Sequence, residues 1–505
     1  MIGKQKKLII IFAAVIAVLL AGYFAVVVPM VNKIEPVETT SPPETVVGEE
    51  VGISDRILLF PHIEKKGMQS IEVTNEFGTY KFYRDADDNF QIDGFEGVPF
   101  NPELFSQLVV DSGYTLSKRK IMDNAPDDKL AEYKLDKASN PAKFTLTTID
   151  DEVFTVYVGA PIISGGGYYT MFEGRKSVYV LGETLGTTIL AKIEDFVTPL
   201  LTYGIGQQEY MMIDEFMLMK GEDPVIAARA VSFEEQMNPD AIIEHRLTYP
   251  KPYTPSSTTF FEVLQKFVAL TGESTAKLGM TDEAMEEFGL TEPGYTIYFK
   301  YQNLEYMILV SARQDDGYYY GISALKNGED YYPLFDLIAR FPGETMNFLD
   351  WPLMKWLDLP IFQNNINLVE SVSVKSPEIS ADFFLEGEGQ DLIVHVGSPT
   401  GEVTDTSNFR QFYKVLLSIT SENFTPEEQA TETILTDSNL QLEFTITLRN
   451  GTVNTYQFYP YSTRRSAISI NGESEFYTFR DTIQKLQNDT QRVLSNEPIE
   501  SYGKN

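Results

Sequence analysis

The chain has 505 residues, which at roughly 150 residues per domain suggests about three domains. Its composition is 43% hydrophobic, 22% charged and 12% aromatic, which excludes a wholly disordered protein. It has 40 basic and 73 acidic residues, a net charge of −33, which argues against nucleic acid as a partner. Because it has no cysteine, disulfides, thiolate nucleophiles and zinc–cysteine sites are excluded.

An uncharged segment near the N-terminus predicts a membrane anchor. Residues 1–7 form a basic end with three lysines, and residues 8–28 are a run of 21 residues without a charge. A helix of that length spans about 30 Å, the thickness of the hydrocarbon core of a bilayer. The run is longer than the apolar region of a signal peptide and lacks a small-x-small cleavage site, so we predict an uncleaved signal anchor. The preceding lysines place the N-terminus in the cytoplasm and the C-terminal bulk outside the membrane.

Residues 29–54 are interpreted as an extended acidic tether. Within them, residues 35–50 contain five Glu, three Pro and three Thr and no basic residue, so they cannot bury enough apolar surface to fold. From Ile34 onward the chain has 36 basic and 73 acidic residues, a net charge of −37. This charge argues against contact between the bulk of the protein and anionic lipid.

After the tether, a loosely repeated order of hairpins and a helix predicts an α+β fold with antiparallel sheets rather than a parallel doubly wound one. We place three units at residues 55–202, 203–362 and 363–495, the third degenerate, with a tail at 496–505. Apolar residues at helical spacing predict helices over 102–119, 260–270 and 409–419.

Alternating residues predict one hairpin in each unit. The expected pairs are 143–149 with 153–158, 295–301 with 306–310, and 441–448 with 455–459. Asn450-Gly451 between the last two strands predicts a type I′ turn. The apolar residues of 348–359, which include Trp351 and Trp356, predict a hydrophobic joint between the second and third units.

The first unit contains Tyr-Lys-Leu, a proline, an alternating hairpin and then Gly-Tyr-Tyr. Together with the anchor, this order resembles a family of bacterial proteins that carry domain of unknown function 4340. The positions that match are Tyr133, Leu135, Pro141, Gly159, Tyr168 and Tyr169. The best match covers 70–201, and 288–353 resemble a degenerate second copy. The resemblance implies a membrane-anchored protein often encoded beside ABC-transporter permeases and gliding-motility-type auxiliary proteins, and it carries no catalytic residues.

One acidic segment has oxygen-bearing side chains at the spacing of a calcium loop. The residues are Asp85, Asp87, Asn89, Asp93 and Glu96. However, Phe90 occupies the position at which such a loop needs glycine, and the flanking residues alternate as strands do. We therefore prefer an acidic hairpin turn, and we predict no metal and no cofactor.

A second candidate site is a set of aromatic residues that could stack on a glycan or peptide of the cell envelope: Tyr168, Tyr169, Tyr318, Tyr319 and Trp351. Their recurrence at matching points of two units favours a packing role instead. We thus predict a non-enzymatic, single-pass accessory or scaffold protein of a membrane complex, with permease-type partners of the ABC-transporter kind. The first alternative is a glycan- or peptide-binding module, and an envelope hydrolase ranks third.

Overall fold

The computed structural model describes residues 50–51, 56–232, 244–425 and 435–499. The predicted cytoplasmic end, the signal anchor, and most of the tether and tail lie outside these residues. Within the described ranges, no helix has the length and apolar character needed to cross a bilayer. The described residues divide into two compact units, one within Met1–Phe90 and Glu103–Ala191 and the other within Gln91–Pro102 and Lys192–Asn505. The predicted unit limits at 202 and 362 stay predictions.

The first part of the chain forms a small sheet and a large one. Its elements are β1 (Glu50–Val51), β2 (Ile57–Leu58), β3 (Met68–Asn75), β4 (Gly78–Arg84), β5 (Phe90–Ile92), α1 (Pro102–Gly113), β6 (Leu116–Ser117), β7 (Arg119–Met122), α2 (Asp127–Glu132), β8 (Ala142–Thr148), β9 (Val153–Pro161), β10 (Gly167–Phe172), β11 (Val178–Gly182) and α3 (Glu183–Ile189). Strands β1, β2 and β6 form the small sheet, and the first large sheet has the order β5-β4-β3-β8-β9-β10-β11-β7.

The second large sheet follows in the chain. Its elements are β12 (Ile213–Lys220), β13 (Asp223–Ala230), β14 (His245–Tyr249), α4 (Thr259–Lys266), β15 (Ser274–Leu278), α5 (Asp282–Glu287), β16 (Tyr295–Tyr301), β17 (Leu304–Val310), β18 (Tyr318–Asn327), β19 (Asp330–Pro333) and β20 (Leu337–Pro342). The strand order is β14-β13-β12-β16-β17-β18-β20-β15, and β19 pairs with β18 outside this order.

The third large sheet completes the described chain. Its elements are β21 (Val369–Lys375), β22 (Ser380–Glu386), β23 (Ile393–Val396), β24 (Glu402–Val403), α6 (Thr406–Leu417), β25 (Asn423–Phe424), β26 (Leu442–Leu448), β27 (Val453–Pro460), β28 (Arg465–Ile470), β29 (Glu473–Phe479) and α7 (Arg480–Leu494). The strand order is β24-β23-β22-β21-β26-β27-β28-β29-β25.

The three large sheets share one strand order. When the main strands of each are numbered along the chain, the order is third, second, first, fifth, sixth, seventh, eighth, fourth, and the third sheet adds β24 at its edge. A register shift between the first and fifth strands also recurs, at Met68/Ser70, Ile213/Glu215 and Val369/Ser371. The paired strands are antiparallel, which confirms the predicted α+β class with antiparallel sheets.

Helix α6 is tied to the third sheet by a capped first turn and a buried apolar face. A carboxylate oxygen of Asp405 accepts hydrogen bonds from the backbone N–H groups of Ser407 and Asn408, and so caps the first turn. Phe409, Phe412 and other apolar residues at helical spacing are buried in the core of the third sheet. Each such side chain contributes about 1.5–3 kcal/mol when it is removed from water.

Two predicted helices end earlier than expected. The helix predicted over 102–119 is α1, which ends at Gly113, where a Cβ would lie 2.2 Å from the Met68 side chain and 2.3 Å from the Ile63 carbonyl. The helix predicted over 260–270 is α4, which ends at Lys266. There the N–H groups of Phe267 and Val268 bond to carbonyls three residues earlier, which tightens and closes the helix.

The type I′ turn predicted at Asn450-Gly451 is wrong. Only Gly451 of the pair has a positive φ, 88°, and the loop is longer because the N–H of Leu448 bonds to the carbonyl of Thr452. A type I′ turn instead joins β28 and β29 at Asn471-Gly472, where φ is 51° and 92°.

Of the hydrophobic joint predicted over 348–359, Trp356 does not join the second and third units, whereas Leu359 does. Trp356 is fully buried within the second sheet's core, with its ring 6.1 Å from that of Phe216 on β12. The carbonyl of Leu359 accepts a hydrogen bond from the N–H of Ser421 in the third unit at 2.7 Å. Tyr253 also joins the two units, since its hydroxyl donates to Glu475 at 2.6 Å and its ring lies 5.8 Å from that of Phe476. The aromatic residues of a stretch do not by themselves indicate whether it packs in the core of one sheet or joins two sheets.

Candidate functional site

The Tyr-Lys-Leu motif forms the end of α2. Lys134 has a positive φ of 55°, and its N–H donates to the carbonyl of Ala131 at 3.1 Å. The N–H of Leu135 donates to the carbonyl of Leu130 at 2.8 Å. This pair of bonds defines a Schellman turn, which satisfies the last carbonyls of the helix and brings two leucines together. The motif therefore has a structural cause.

The Gly-Tyr-Tyr motif packs against that turn. The ring of Tyr169 on β10 stacks on Tyr133, with ring centroids 4.0 Å apart. Gly159 lies under the turn, since a Cβ there would be 2.3 Å from the Tyr133 carbonyl oxygen. Tyr168 lies against Gly186 of α3, where a Cβ would come within 2.2 Å of its ring. Both tyrosines of this motif thus serve packing within the first sheet's unit.

Helix α5 in the second sheet ends in the same turn. Gly289 has a φ of 68°, its N–H donates to the Glu286 carbonyl, and the N–H of Leu290 donates to the Met285 carbonyl at 2.7 Å. The ring of Phe288 then lies 4.7 Å from that of Tyr320 on β18. Glycine is favoured at this left-handed position because it lacks a Cβ.

The two predicted surface tyrosines of β18 are both engaged. The guanidinium carbon of Arg340 lies 3.4 Å from the ring centroid of Tyr318. Tyr319 is only 4% exposed, and its hydroxyl lies 3.4 Å from Asp350. The ring face of Tyr319 is therefore not offered to solvent.

Asp350 is the centre of a polar network beside Trp351. Its carboxylate accepts a hydrogen bond from Lys220 at 2.8 Å and one from the Tyr295 hydroxyl at 2.6 Å. The Lys220 ammonium group, followed by Tyr295, lowers the pKa of Asp350, whereas burial and Asp350 raise the pKa of Tyr295 to about 12. Tyr295 therefore stays protonated near neutral pH and acts as a donor rather than a base.

The structure brings together only part of the predicted aromatic surface. Trp351 and Tyr319 lie beside the Asp350 network, and the Lys355 ammonium group covers the ring of Trp351 at 3.9 Å. Tyr168 and Tyr169 belong to the other compact unit.

The calcium-loop residues Asp85, Asp87 and Asn89 lie in the turn between β4 and β5. A carboxylate oxygen of Asp85 accepts hydrogen bonds from the backbone N–H groups of Asp87 and Asn89, each at 2.9 Å. This is the geometry of an Asx turn, as the hairpin interpretation predicts. Asp93 and Glu96 follow in the second compact unit. In the part of the chain that the structure describes, no group of three acidic or histidine side chains could hold a metal ion.

A cavity of about 420 Å³ lies on the third sheet near His395 and Arg449. The Arg449 guanidinium donates to three backbone carbonyls, of Asn367, Leu385 and Gly387, so it holds the loops in place. Both ring nitrogens of His395 face oxygen atoms at 3.1 Å, the Gly401 carbonyl and the Glu386 carboxylate. The pKa of His395 is raised by the Gly401 carbonyl first and by Glu386 second.

A groove of about 490 Å³ lies on the face of the second sheet opposite its buried core. We call it the Tyr298 groove, after the residue on β16 whose ring lies 6.3 Å from that of Tyr331 on β19. Met217 of β12 and Ala227 of β13 line the same cavity. Its size falls in the range of about 300–1,000 Å³ that ligand sites occupy.

Charged residues border the Tyr298 groove. Along the sheet, Glu215 pairs with Arg229 on one side and with Lys300 on the other, and Lys300 pairs in turn with Glu305. The Lys326 ammonium group, 2.8 Å from Glu305, lowers the pKa of that carboxyl. The border thus carries both signs of charge and presents no uniform potential.

No pattern along the sequence predicted this groove. Its residues are spread over six strands, so no local motif joins them. One signal was available, since Met217, Ala227 and Tyr298 alternate with buried residues and so face outward as apolar side chains. Recognising the groove required the strand order, which spacing along the chain does not give.

One stretch of the chain is similar to a known protein family. Residues 109–293 match the family described as Domain of unknown function (DUF4340). No curated protein and no solved structure matches the chain. The matched stretch starts inside α1 and ends after α5, so it begins and ends later than the predicted stretch of 70–201 and includes the Schellman turns of both α2 and α5. Residues 109–293 are therefore similar to the DUF4340 family, as the Tyr-Lys-Leu and Gly-Tyr-Tyr motifs indicated.

Proposed function

We propose that this chain is a non-enzymatic, membrane-anchored, extracytoplasmic scaffold or accessory subunit of a membrane complex, and that its three large sheets are copies of one α+β unit. The observation that carries the proposal is the strand order and register shift common to the three sheets. Tandem copies of one unit build extended surfaces that hold other proteins.

The use of the motif residues supports a structural role. The tyrosines that the sequence offers as a site stack on helix ends, lie under arginine or donate to Asp350. The membrane anchor rests on the uncharged residues 8–28 and their flanking lysines. The ABC-transporter type of partner rests on the family resemblance.

The proposal is tested by purifying the full chain from its native membranes in mild detergent. We expect a permease-type membrane protein and an ATPase to be recovered with it in constant ratio. An unrelated single-pass protein from the same membranes, purified in parallel, is the control. Recovery of the chain alone, with the control behaving identically, would contradict the scaffold role.

The Tyr298 groove gives the second candidate, a cell-envelope glycan- or peptide-binding module, a specific location. Its two tyrosines and its volume suit a ligand of modest size. This candidate predicts that the detergent-purified chain binds an isolated envelope polymer and that Tyr298→Ala abolishes the binding while the protein stays folded. Binding that survives Tyr298→Ala would remove the groove from consideration.

A further inference from the structure

The shared register allows the outward faces of the three sheets to be compared position by position. In the row that crosses the second, first, fifth and sixth strands, the first and third sheets carry polar or charged side chains: Lys81, Glu72, Thr145 and Thr155, and Asp382, Ser373, Thr445 and Thr455. The second sheet carries Ala227, Met217, Tyr298 and Met307 at the same positions.

Several polar side chains of these two rows form hydrogen bonds with one another within their own sheet. Thr145 and Thr155 share a hydrogen bond of 3.1 Å, and Thr445 and Thr455 share one of 3.3 Å. Ser373 donates to Asp382 at 2.6 Å. The row of the second sheet instead leaves two methionines and a tyrosine half-buried on a face that points away from the core. A contiguous apolar patch on an outer face marks an interaction site.

The neighbouring row differs in the same way. In the second sheet it reads Arg229, Glu215, Lys300 and Glu305, with charges alternating from strand to strand. The first and third sheets carry uncharged residues there: Tyr83, Ser70, Thr147 and Val153, and Phe384, Ser371, Thr447 and Val453. The second sheet also has the extra strand β19, which places Tyr331 over the groove.

We infer that the Tyr298 groove and its charged border dock a segment of a partner protein whose apolar side chains are flanked by charges of both signs. This inference rests on the proposed scaffold function and names its contact surface. Methionines adapt to varied apolar side chains, and an alternating charge row fixes the register of a partner with the opposite pattern.

Other occupants fit the groove less well. A uniformly anionic polymer or lipid surface would be attracted by Arg229 and Lys300 but repelled by Glu215 and Glu305. Met217 and Ala227 at the centre of the groove give a sugar no hydrogen bonds, so only the polar residues around them could bind its hydroxyl groups. A second copy of the chain would bring together two bodies that each carry a net charge of −33.

The test places a photocrosslinking amino acid at position 217 of the full chain in its native membranes. The matched controls carry the same amino acid at positions 72 and 373, which occupy the equivalent point of the first and third sheets. We expect an adduct from position 217 alone, in which mass spectrometry identifies one segment of an integral membrane protein with apolar residues between opposite charges. Tyr298→Thr, which installs the side chain found at the same point in both other sheets, should reduce that adduct by at least about tenfold.

Several outcomes would overturn the inference: no adduct, equal adducts from all three positions, an adduct with a glycan, or an adduct with a second copy. If detergent purification recovers a partner while position 217 gives no adduct, the docking surface is refuted and the scaffold function stands. If no partner is recovered by either method, the scaffold function itself fails. A near-native unfolding curve for Tyr298→Thr excludes misfolding as the cause of a lost adduct.

Discussion

The second and third sheets show how one framework can carry two different surfaces. They share strand order and the position of a register shift, yet Met217 and Tyr298 on one correspond to Ser373 and Thr445 on the other. The core positions between them stay apolar, such as Phe216 and Val372. Burial constrains the inward side chains, whereas the outward ones are free to differ. The outward faces are therefore where the sheets can differ in what they bind.

The largest effect on stability should come from a substitution in the core of the second sheet. Trp356 is fully buried against Phe216, Phe260 and Phe348. We expect Trp356→Ala to cost about 3–5 kcal/mol in the free energy of unfolding, because it leaves a large cavity. Hydrogen exchange measured by mass spectrometry should show lost protection in β12 to β17 and retained protection in β21 to β29.

The matched control is Trp351→Ala, since Trp351 is half-buried and its ring lies under Lys355. It should cost much less stability. If Trp356→Ala caused equal loss of protection in the second and third sheets, Trp356 would join the two sheets, as the sequence suggested. The two cores would then not be independent.

Asp350→Asn should have the next largest effect, because it removes the charge that Lys220 and Tyr295 contact. We expect a loss of about 1 kcal/mol, reduced from the usual value for a charged hydrogen bond because the carboxylate is half-exposed. The folded-state pKa of Asp350 is lowered, so its stabilisation is present above the ordinary pKa of aspartate, about 3.9, and is lost as pH falls through the lowered value. Acid unfolding curves should therefore be shallower for the variant than for the unchanged chain.

The sequence predicted those features that depend on neighbours along the chain. The hairpins β8–β9 and β16–β17 follow from alternation, and the fold class follows from the order of the elements. The Tyr-Lys-Leu motif was noticed only through the family resemblance, and the structure supplies its physical reason, a Schellman turn that needs a left-handed residue followed by a leucine.

Beyond these hairpins, the sequence does not indicate which strands pair with one another. The first strand of each sheet pairs with the fifth, and in the second sheet β19 adds Tyr331, so the Tyr298 groove is assembled from residues more than 100 positions apart. The role predicted for Trp356 was wrong for the same reason. Neighbouring residues in the sequence do not indicate whether a buried tryptophan packs against its own sheet or against the next one.

Two histidines on the equivalent third strands should respond to pH in opposite directions. His245 on β14 is buried, and burial lowers its pKa, so its contribution to stability is present above the unfolded value of about 6.5 and is lost as pH falls. The pKa of His395 on β23 is raised by Gly401 and Glu386, so its contribution is present below about 6.5 and is lost as pH rises through the raised value.

Free energies of unfolding between about pH 5 and about pH 8 measure this contrast. His245→Gln should remove a term that grows with pH, and His395→Gln one that declines with pH. Changes of slope with the same sign in both variants would show that the two strands provide similar environments for their histidines.

The smallest change in stability is expected from exchanging the outward rows themselves. Met217→Ser with Tyr298→Thr gives the second sheet the third sheet's residues, and Ser373→Met with Thr445→Tyr does the reverse. Because these positions face away from the cores, each pair should change the free energy of unfolding by about 1 kcal/mol or less. The first exchange should abolish recovery of a membrane partner, whereas the reverse exchange should leave it intact, because the third sheet still lacks the charged border and the strand that carries Tyr331. Loss of the partner in both variants would mean that binding spans the two sheets, and loss in neither would place it elsewhere on the chain.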